Sequence, residues 1–104
     1  MRLSEARRYI DEVSSELTSD NDRQFLSRVW ATGFNYYLSR VSEIDFTNLG
    51  KVLDVGSGFG QWSIALSETN NEVIGLDCSD ERTRFASGIC QAIGNTNVRF
   101  IHGD

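Results

Sequence analysis

The stretch Val52-Leu53-Asp54-Val55-Gly56-Ser57-Gly58-Phe59-Gly60-Gln61-Trp62 decides how this chain is read. It opens inside a short apolar run, Lys51 to Val55, of the kind that forms a strand buried on both faces of a parallel sheet. Glycine then recurs at 56, 58 and 60, where the backbone can turn sharply and approach a ligand with no Cβ in the way. Residues 61 to about 69 follow with Trp62, Ala65, Leu66 and Thr69 at helical spacing. Strand, glycine turn and helix in that order put the turn at the carboxyl edge of an open α/β sheet, where ligands of such sheets bind. The helix opening near Gln61 presents unpaired amides and a partial positive charge, suited to an anion.

Downstream the pattern repeats. Asn70-Asn71 makes a turn, and Glu72 to Asp77 is a second apolar strand. Ser79-Asp80-Glu81 offers a helix cap and an acidic first turn, and Phe85, Ile89 and Ile93 run down one helical face. Gly94-Asn95 is a left-handed stop, and Asn97 to Ile101 is a third strand before His102-Gly103-Asp104. Strands recur every 22 to 25 residues or so. Right-handed crossovers then give three parallel strands in a Rossmann-like α/β/α arrangement.

Upstream lie two helices. Leu3, Ala6, Ile10, Val13 and Leu17 form one apolar stripe from 3 to about 18, with Ser4 as a possible cap. Thr18 to Asp22 is a break, since these short polar side chains bond the backbone locally. A second helix fits from about 22 to 44, with Leu26, Val29, Trp30, Gly33, Tyr37, Val41 and Ile44 near one face. Its many rings pack against the next layer or cover a ligand, and Tyr36 and Tyr37 are candidates to line an acceptor pocket. Residues 1–48 thus read as a helical cap and 49–104 as the ligand-binding α/β unit.

Composition narrows the function. The 104 residues carry 15 Asp plus Glu against 10 Lys plus Arg, a net charge of −5. That balance disfavours nucleic acid and anionic lipid as partners. No apolar run approaches the roughly 18 residues of a membrane span. Met1-Arg2-Leu3-Ser4-Glu5 turns acidic at once, unlike a secretory leader, so the cytoplasm is the expected location. Cys78 and Cys90 have neither metal-ligand nor disulfide-framework spacing and are expected as reduced thiols. No metal site is expected, and His102, the single histidine, has no assigned chemistry.

The acids flanking the glycine turn discriminate between ligands. A pyrophosphate held by the turn would face Asp54, and two like charges about 5 Å apart repel by roughly 3 kcal/mol at an effective dielectric near 20. A ligand carrying ammonium and sulfonium charges reverses that sign. Asp77 ends the second strand 21 residues after Gly56, where an acid accepts hydrogen bonds from ribose hydroxyls. Asp104 follows the third strand and could reach an exocyclic adenine amine.

The run VLDVGSGFGQW, then VIGLDCS, then NVRFIHGD resembles the first three motifs of the class I S-adenosylmethionine-dependent methyltransferases. The likeness covers about residues 51–104. It implies S-adenosyl-L-methionine as cofactor and S-adenosyl-L-homocysteine as product. It assigns the methionine moiety to the loop from Asp54 through Gly56, Ser57, Gly58 and Gly60 to Gln61 and Trp62, and the ribose to Asp77. Cys78 then borders the adenine, and Asp104 lies near its amine. Family members usually have seven strands, whereas this chain stops after the third, so it is expected to be the N-terminal portion of a longer enzyme, or else a truncated relative completed by a partner. The first strand should then show an unpaired edge. The acceptor is expected to be a small molecule, and neither catalytic residues nor oligomeric state can be assigned. A nicotinamide-dependent oxidoreductase and a non-catalytic S-adenosylmethionine-binding or interaction module are the competing readings.

Overall fold

The computed structural model describes residues 3–104, with the backbone alone for Ala31 and Thr32. Met1 and Arg2, part of the stretch read for a leader, lie outside the described residues. The chain runs α1 (Leu3–Val13), α2 (Asp20–Arg28), α3 (Phe34–Glu43), β1 (Lys51–Val55), α4 (Gln61–Ser67), β2 (Glu72–Asp77), α5 (Asp80–Ile93) and β3 (Val98–His102). The three strands are parallel in the order β1-β2-β3, with Val52, Val73 and Val98 in one row and Asp54, Gly75 and Phe100 in the next.

Those two rows face the helices. Val73 and Val98 are buried there with Ile64 of α4 and Ile89 of α5, and Val52 and Phe100 pack against the same cluster. Ala6, Ile10, Leu26, Trp30, Phe34 and Val41 from the N-terminal segment join it, so residues before and after 48 share one core. The opposite face differs from expectation. Leu53 is 61% exposed, Val55 71% and Ile101 43%, so β1 is not buried on both faces. Both crossover helices lie on one side, and among the described residues nothing covers the other. Among the described residues β1 pairs with β2 alone, which leaves its other edge free, as expected.

Local signals set most boundaries. The Ser79 hydroxyl accepts from the Arg82 amide at the start of α5, and Gly94 ends that helix in the left-handed region. The Ser19 hydroxyl caps α2 in the same way through the Asp22 amide, starting it at Asp20 rather than 22. Ser4 lies inside α1, which gives way after Val13 to a 3-10 turn over Ser14–Glu16. The expected 22–44 helix is two helices joined by a π turn, Val29–Gly33. That turn is tight: a Cβ at Gly33 would sit 3.1 Å from the Arg28 carbonyl oxygen. The extra residue shifts the helical face, and Ile44 ends up beyond α3 and 39% exposed.

Two further contacts fix the framework. In α5, a Cβ at Gly88 would overlap the Tyr9 hydroxyl, so this glycine is the notch that seats α1. At the amino edge of the sheet, Asn70 donates to the carbonyls of Phe46 (2.9 Å) and Leu66 (2.8 Å) and accepts from the Leu49 amide (2.7 Å). Asn97 donates to the carbonyls of Ser67 and Asn70, and Asn95 donates to the Ser67 hydroxyl.

Candidate functional site

At the carboxyl edge, β1 runs into a turn in which Gly56, Gly58 and Gly60 all have positive φ. The Gly56 and Ser57 amides both donate to the Leu76 carbonyl, at 2.7 and 3.0 Å, which ties the turn to β2. The Gly60 amide donates to the Ser57 carbonyl, and the Gly58 amide to Asp77 Oδ1 at 3.0 Å. Four amides of the loop are therefore committed within the fold. The glycines shape the path, and the amides expected to be unpaired, at the opening of the helix near Gln61, are not among these four. The first intrahelical bond of α4 runs from the Ile64 amide to the Gly60 carbonyl, so Gln61, Trp62 and Ser63 precede it.

The Phe59 side chain points inward. It is buried, its ring centroid is 6.2 Å from Phe25 and 6.4 Å from Phe85, and the Arg82 guanidinium lies 5.8 Å from it. Arg82 also pairs with Asp22 of α2 at 3.0 Å. Phe100 packs beneath the turn: a Cβ at Gly60 would come within 2.5 Å of its ring, and one at Gly75 within 2.6 Å. The three strands, α2 and α5 thus hold the loop in one place.

Asp54, Gly75 and Asp77 share the helix-facing side, by register and alternation. Asp54 accepts from the buried Ser63 hydroxyl at 2.7 Å. Burial pushes its carboxyl above the usual carboxylate range; the Ser63 bond opposes this, and the nearby Asp77 charge adds to it. Asp77 is 8% exposed, and its two oxygens accept from the Gly58 amide and, at 2.9 Å, the Ser79 amide. A carboxylate has about four acceptor positions, so these two bonds leave capacity for a ligand. The Gln61 side-chain oxygen is buried without a hydrogen-bond partner, an acceptor at the start of α4.

Cys78 and Asp104 are exposed beyond the ends of β2 and β3. The His102 ring lies 3.1 Å from the Cys78 carbonyl and 3.7 Å from Asp80, and the Gly103 amide donates to the Asp77 carbonyl. The Trp62 ring turns toward the cap, edge-on to Tyr37 at 4.8 Å and to Tyr36 at 6.3 Å. Beside it, Phe25, Arg28, Val29, Gly33, Tyr36 and Tyr37 line a cavity of about 220 Å³. Both cysteines are free, and burial pushes the Cys90 thiol up to about 12. Among the described residues no group of three His, Cys, Asp or Glu side chains is placed to hold a metal, and no helix is long and apolar enough to cross a membrane.

Ser63, Phe59 and Phe100 are the positioning residues that the sequence reading missed. Ser63 looks like any small residue inside a helix, and Phe100 like any strand hydrophobe. Only Phe59, a large apolar group between two turn glycines, carried a signal.

The geometry agrees with what the chain is similar to. The family described as "Methyltransferase domain" matches residues 52–104, half of the chain. The chain belongs to the class I S-adenosylmethionine-dependent methyltransferases. A Bacillus subtilis methyltransferase, YcgJ, is 42% identical over 53 residues, covering 51% of this chain and 21% of that protein. The YcgJ crystal structure aligns with a TM-score of 0.60 at 33% identity, over 66% of this chain and 30% of that one. A Thiobacillus denitrificans S-adenosylmethionine-dependent methyltransferase, solved with S-adenosyl-L-homocysteine, aligns with a TM-score of 0.55 at 30% identity, over 66% and 29%. The chain thus spans about a fifth of the curated relative. The family's cofactor is S-adenosyl-L-methionine and its product S-adenosyl-L-homocysteine, and the nicotinamide reading gains no support.

Proposed function

We propose that this chain is the donor-binding portion of a cytoplasmic methyltransferase acting on a small molecule, and that Asp54, Gly56, Ser57, Gly58, Gly60, Gln61 and Trp62 with Asp77, Cys78 and Asp104 hold S-adenosylmethionine. The observation that carries the reading is the chemistry of the side chains around the turn. Asp54, Asp77 and the orphaned Gln61 oxygen are all acceptors. A ligand edged with donors, namely an ammonium, two ribose hydroxyls and an adenine amine, complements them. A diphosphate does not, because it adds charge of the same sign beside Asp54.

When bound, S-adenosylmethionine supplies a methyl group already activated by the sulfonium charge. The protein's part is alignment and exclusion of water. Asp54 and Gln61 favour the ammonium. Asp77 receives the ribose while its bonds to Gly58 and Ser79 keep its carboxylate in one rotamer. The Tyr36, Tyr37 and Trp62 rings exclude water beside the turn. A general base is required only if the acceptor loses a proton during transfer. The net charge of −5 supports a small acceptor over a nucleic acid.

Calorimetry on the full-length protein tests the reading. S-adenosyl-L-homocysteine is expected to bind and NAD to give no heat. Binding of NAD in its place, or no heat from either, overturns it.

A further inference from the structure

The glycine turn has little holding it from within. Gly56, Gly58 and Gly60 all have positive φ, and glycine gives up more freedom on folding than any other residue. A Cβ at Gly56 or at Gly58 would meet nothing within 4 Å, so neighbouring side chains do not fix the backbone there. Phe59 is the one large side chain between Gly56 and Gly60, and it is 2% exposed.

What holds Phe59 comes from outside the turn. Phe25 of α2 and Phe85 of α5 flank its ring, and the Arg82 guanidinium lies 5.8 Å from the ring centroid, within cation–π range. Arg82 is itself fixed. Its Nε and one terminal nitrogen donate to the two Asp22 carboxylate oxygens at 3.4 and 3.0 Å, a paired arrangement that adds geometric specificity. The preceding residue, Glu81, accepts from the Thr18 amide at 3.3 Å and from its hydroxyl at 2.9 Å. The first turn of α5 thus grips the start of α2 twice, and the second grip is the one that meets Phe59.

We propose that Arg82 is a positioning residue for the methyl donor: it seats Phe59, and Phe59 keeps the neighbouring Gly58 amide on Asp77. That amide donates to Asp77 Oδ1 at 3.0 Å, so a turn that shifts at Phe59 releases one of the two bonds that orient this carboxylate. The proposal rests on the donor-binding reading above, in which Asp77 receives the ribose.

Energetics separate this role from general stabilisation. The Arg82 side chain is 44% exposed, and exposed ion pairs contribute little to unfolding free energy. A cation over an aromatic face at such a site changes an equilibrium constant a few-fold. That is enough to alter the fraction of molecules whose turn is seated, and with it the apparent affinity for a ligand. Asp77 also acts on Arg82 through space, and replacing Phe59 tells that direct route from the one through the ring.

The test is calorimetric titration of S-adenosyl-L-homocysteine into the full-length protein and its variants, each first shown to be folded by its thermal melt. Arg82→Met keeps the apolar stem and removes the cation. It is expected to weaken binding about fivefold while moving the melt little. Arg82→Lys restores a cation and should recover much of that loss. Arg84→Met removes an equal charge from the same helix, where it pairs with Asp80, and should leave affinity within about twofold. In a Phe59→Leu background, which has no aromatic face, Arg82→Met should cost nothing further. Should Arg82→Met not fold, Asp22→Asn loosens the same guanidinium and is expected to give a smaller loss of the same sign; unchanged affinity in that variant overturns the proposal equally. A change of less than about twofold for Arg82→Met, an equal loss from Arg84→Met, no recovery with lysine, or a full loss that persists without the Phe59 ring also overturns it. A wild type that binds no S-adenosyl-L-homocysteine overturns the donor reading itself, and is seen before any variant is measured.

Discussion

The two ends of the sheet solve the problem of polar groups in opposite ways. At the amino edge, Asn70, Asn95 and Asn97 direct their side-chain donors to carbonyls and a hydroxyl, and Asn70 closes the circuit by accepting from Leu49. At the carboxyl edge, burial and the nearby Asp77 charge both hold the Asp54 carboxyl above its usual range, and a buried amide oxygen has no partner. Satisfied polar groups stabilise a fold, while unsatisfied ones raise its energy until something binds. The same sheet is thus sealed at one end and left with unmet hydrogen-bonding capacity at the other. On the reading proposed above, the end with unmet capacity is the working end.

Substitutions at each end separate the two roles. Asn70→Ala removes three hydrogen bonds that tie the Phe46 and Leu66 carbonyls and the Leu49 amide together. It should lower unfolding free energy by about 3 kcal/mol in denaturant titration, with S-adenosyl-L-homocysteine affinity unchanged. A large loss of affinity with little loss of stability would erase the contrast. Asp77→Asn does the reverse: the near-isosteric amide should weaken S-adenosyl-L-homocysteine by about tenfold or more, since hydrogen bonds to a charged acceptor are the strong ones.

Asp54→Asn sharpens the comparison through pH. The folded-state pKa of Asp54 lies above its ordinary value, so the folded protein holds this proton more tightly than the unfolded chain does. Its contribution to stability therefore rises as pH falls through the folded pKa and is complete below the unfolded one, opposite to a carboxylate held by a cation. The asparagine variant should be more stable than wild type at pH 7, with the gap closing on acidification in thermal melts followed from pH 7 to 4. A gap that widens would show that Asp54 is held by attraction. The smallest effect concerns the thiols: iodoacetamide at pH 8 should label Cys78 and spare Cys90, whose thiol is buried and titrates near 12. Mass spectrometry of the intact chain then reads a single adduct.

Much of this was legible in the amino acids, for identifiable reasons. The spans Lys51–Val55 and Glu72–Asp77, the Ser79 cap and the Gly94 stop follow from local rules, and the structure keeps them. The π turn was not legible, because it answers to the packing of Gly33 on Arg28 rather than to a period. The bare outer side of β1 was hidden for a different reason: Leu53 and Val55 read as core, and burial depends on neighbours the strand itself does not encode. At the site, Asp54, Asp77 and the glycines stood out by position. Ser63 and Phe100 acquire their roles through contacts with residues 9 and 40 positions away, which no local pattern registers.

The notch at Gly88 has an evolutionary corollary. Glycine is among the poorest residues for the middle of a helix, and alanine there would ordinarily improve α5 by roughly 1 kcal/mol. Here the Tyr9 hydroxyl occupies the space that alanine needs. The two positions are therefore coupled: a side chain at 88 requires Tyr9 to shift or to shorten, so the aromatic residue on the first helix acts as custodian of a glycine 79 residues later.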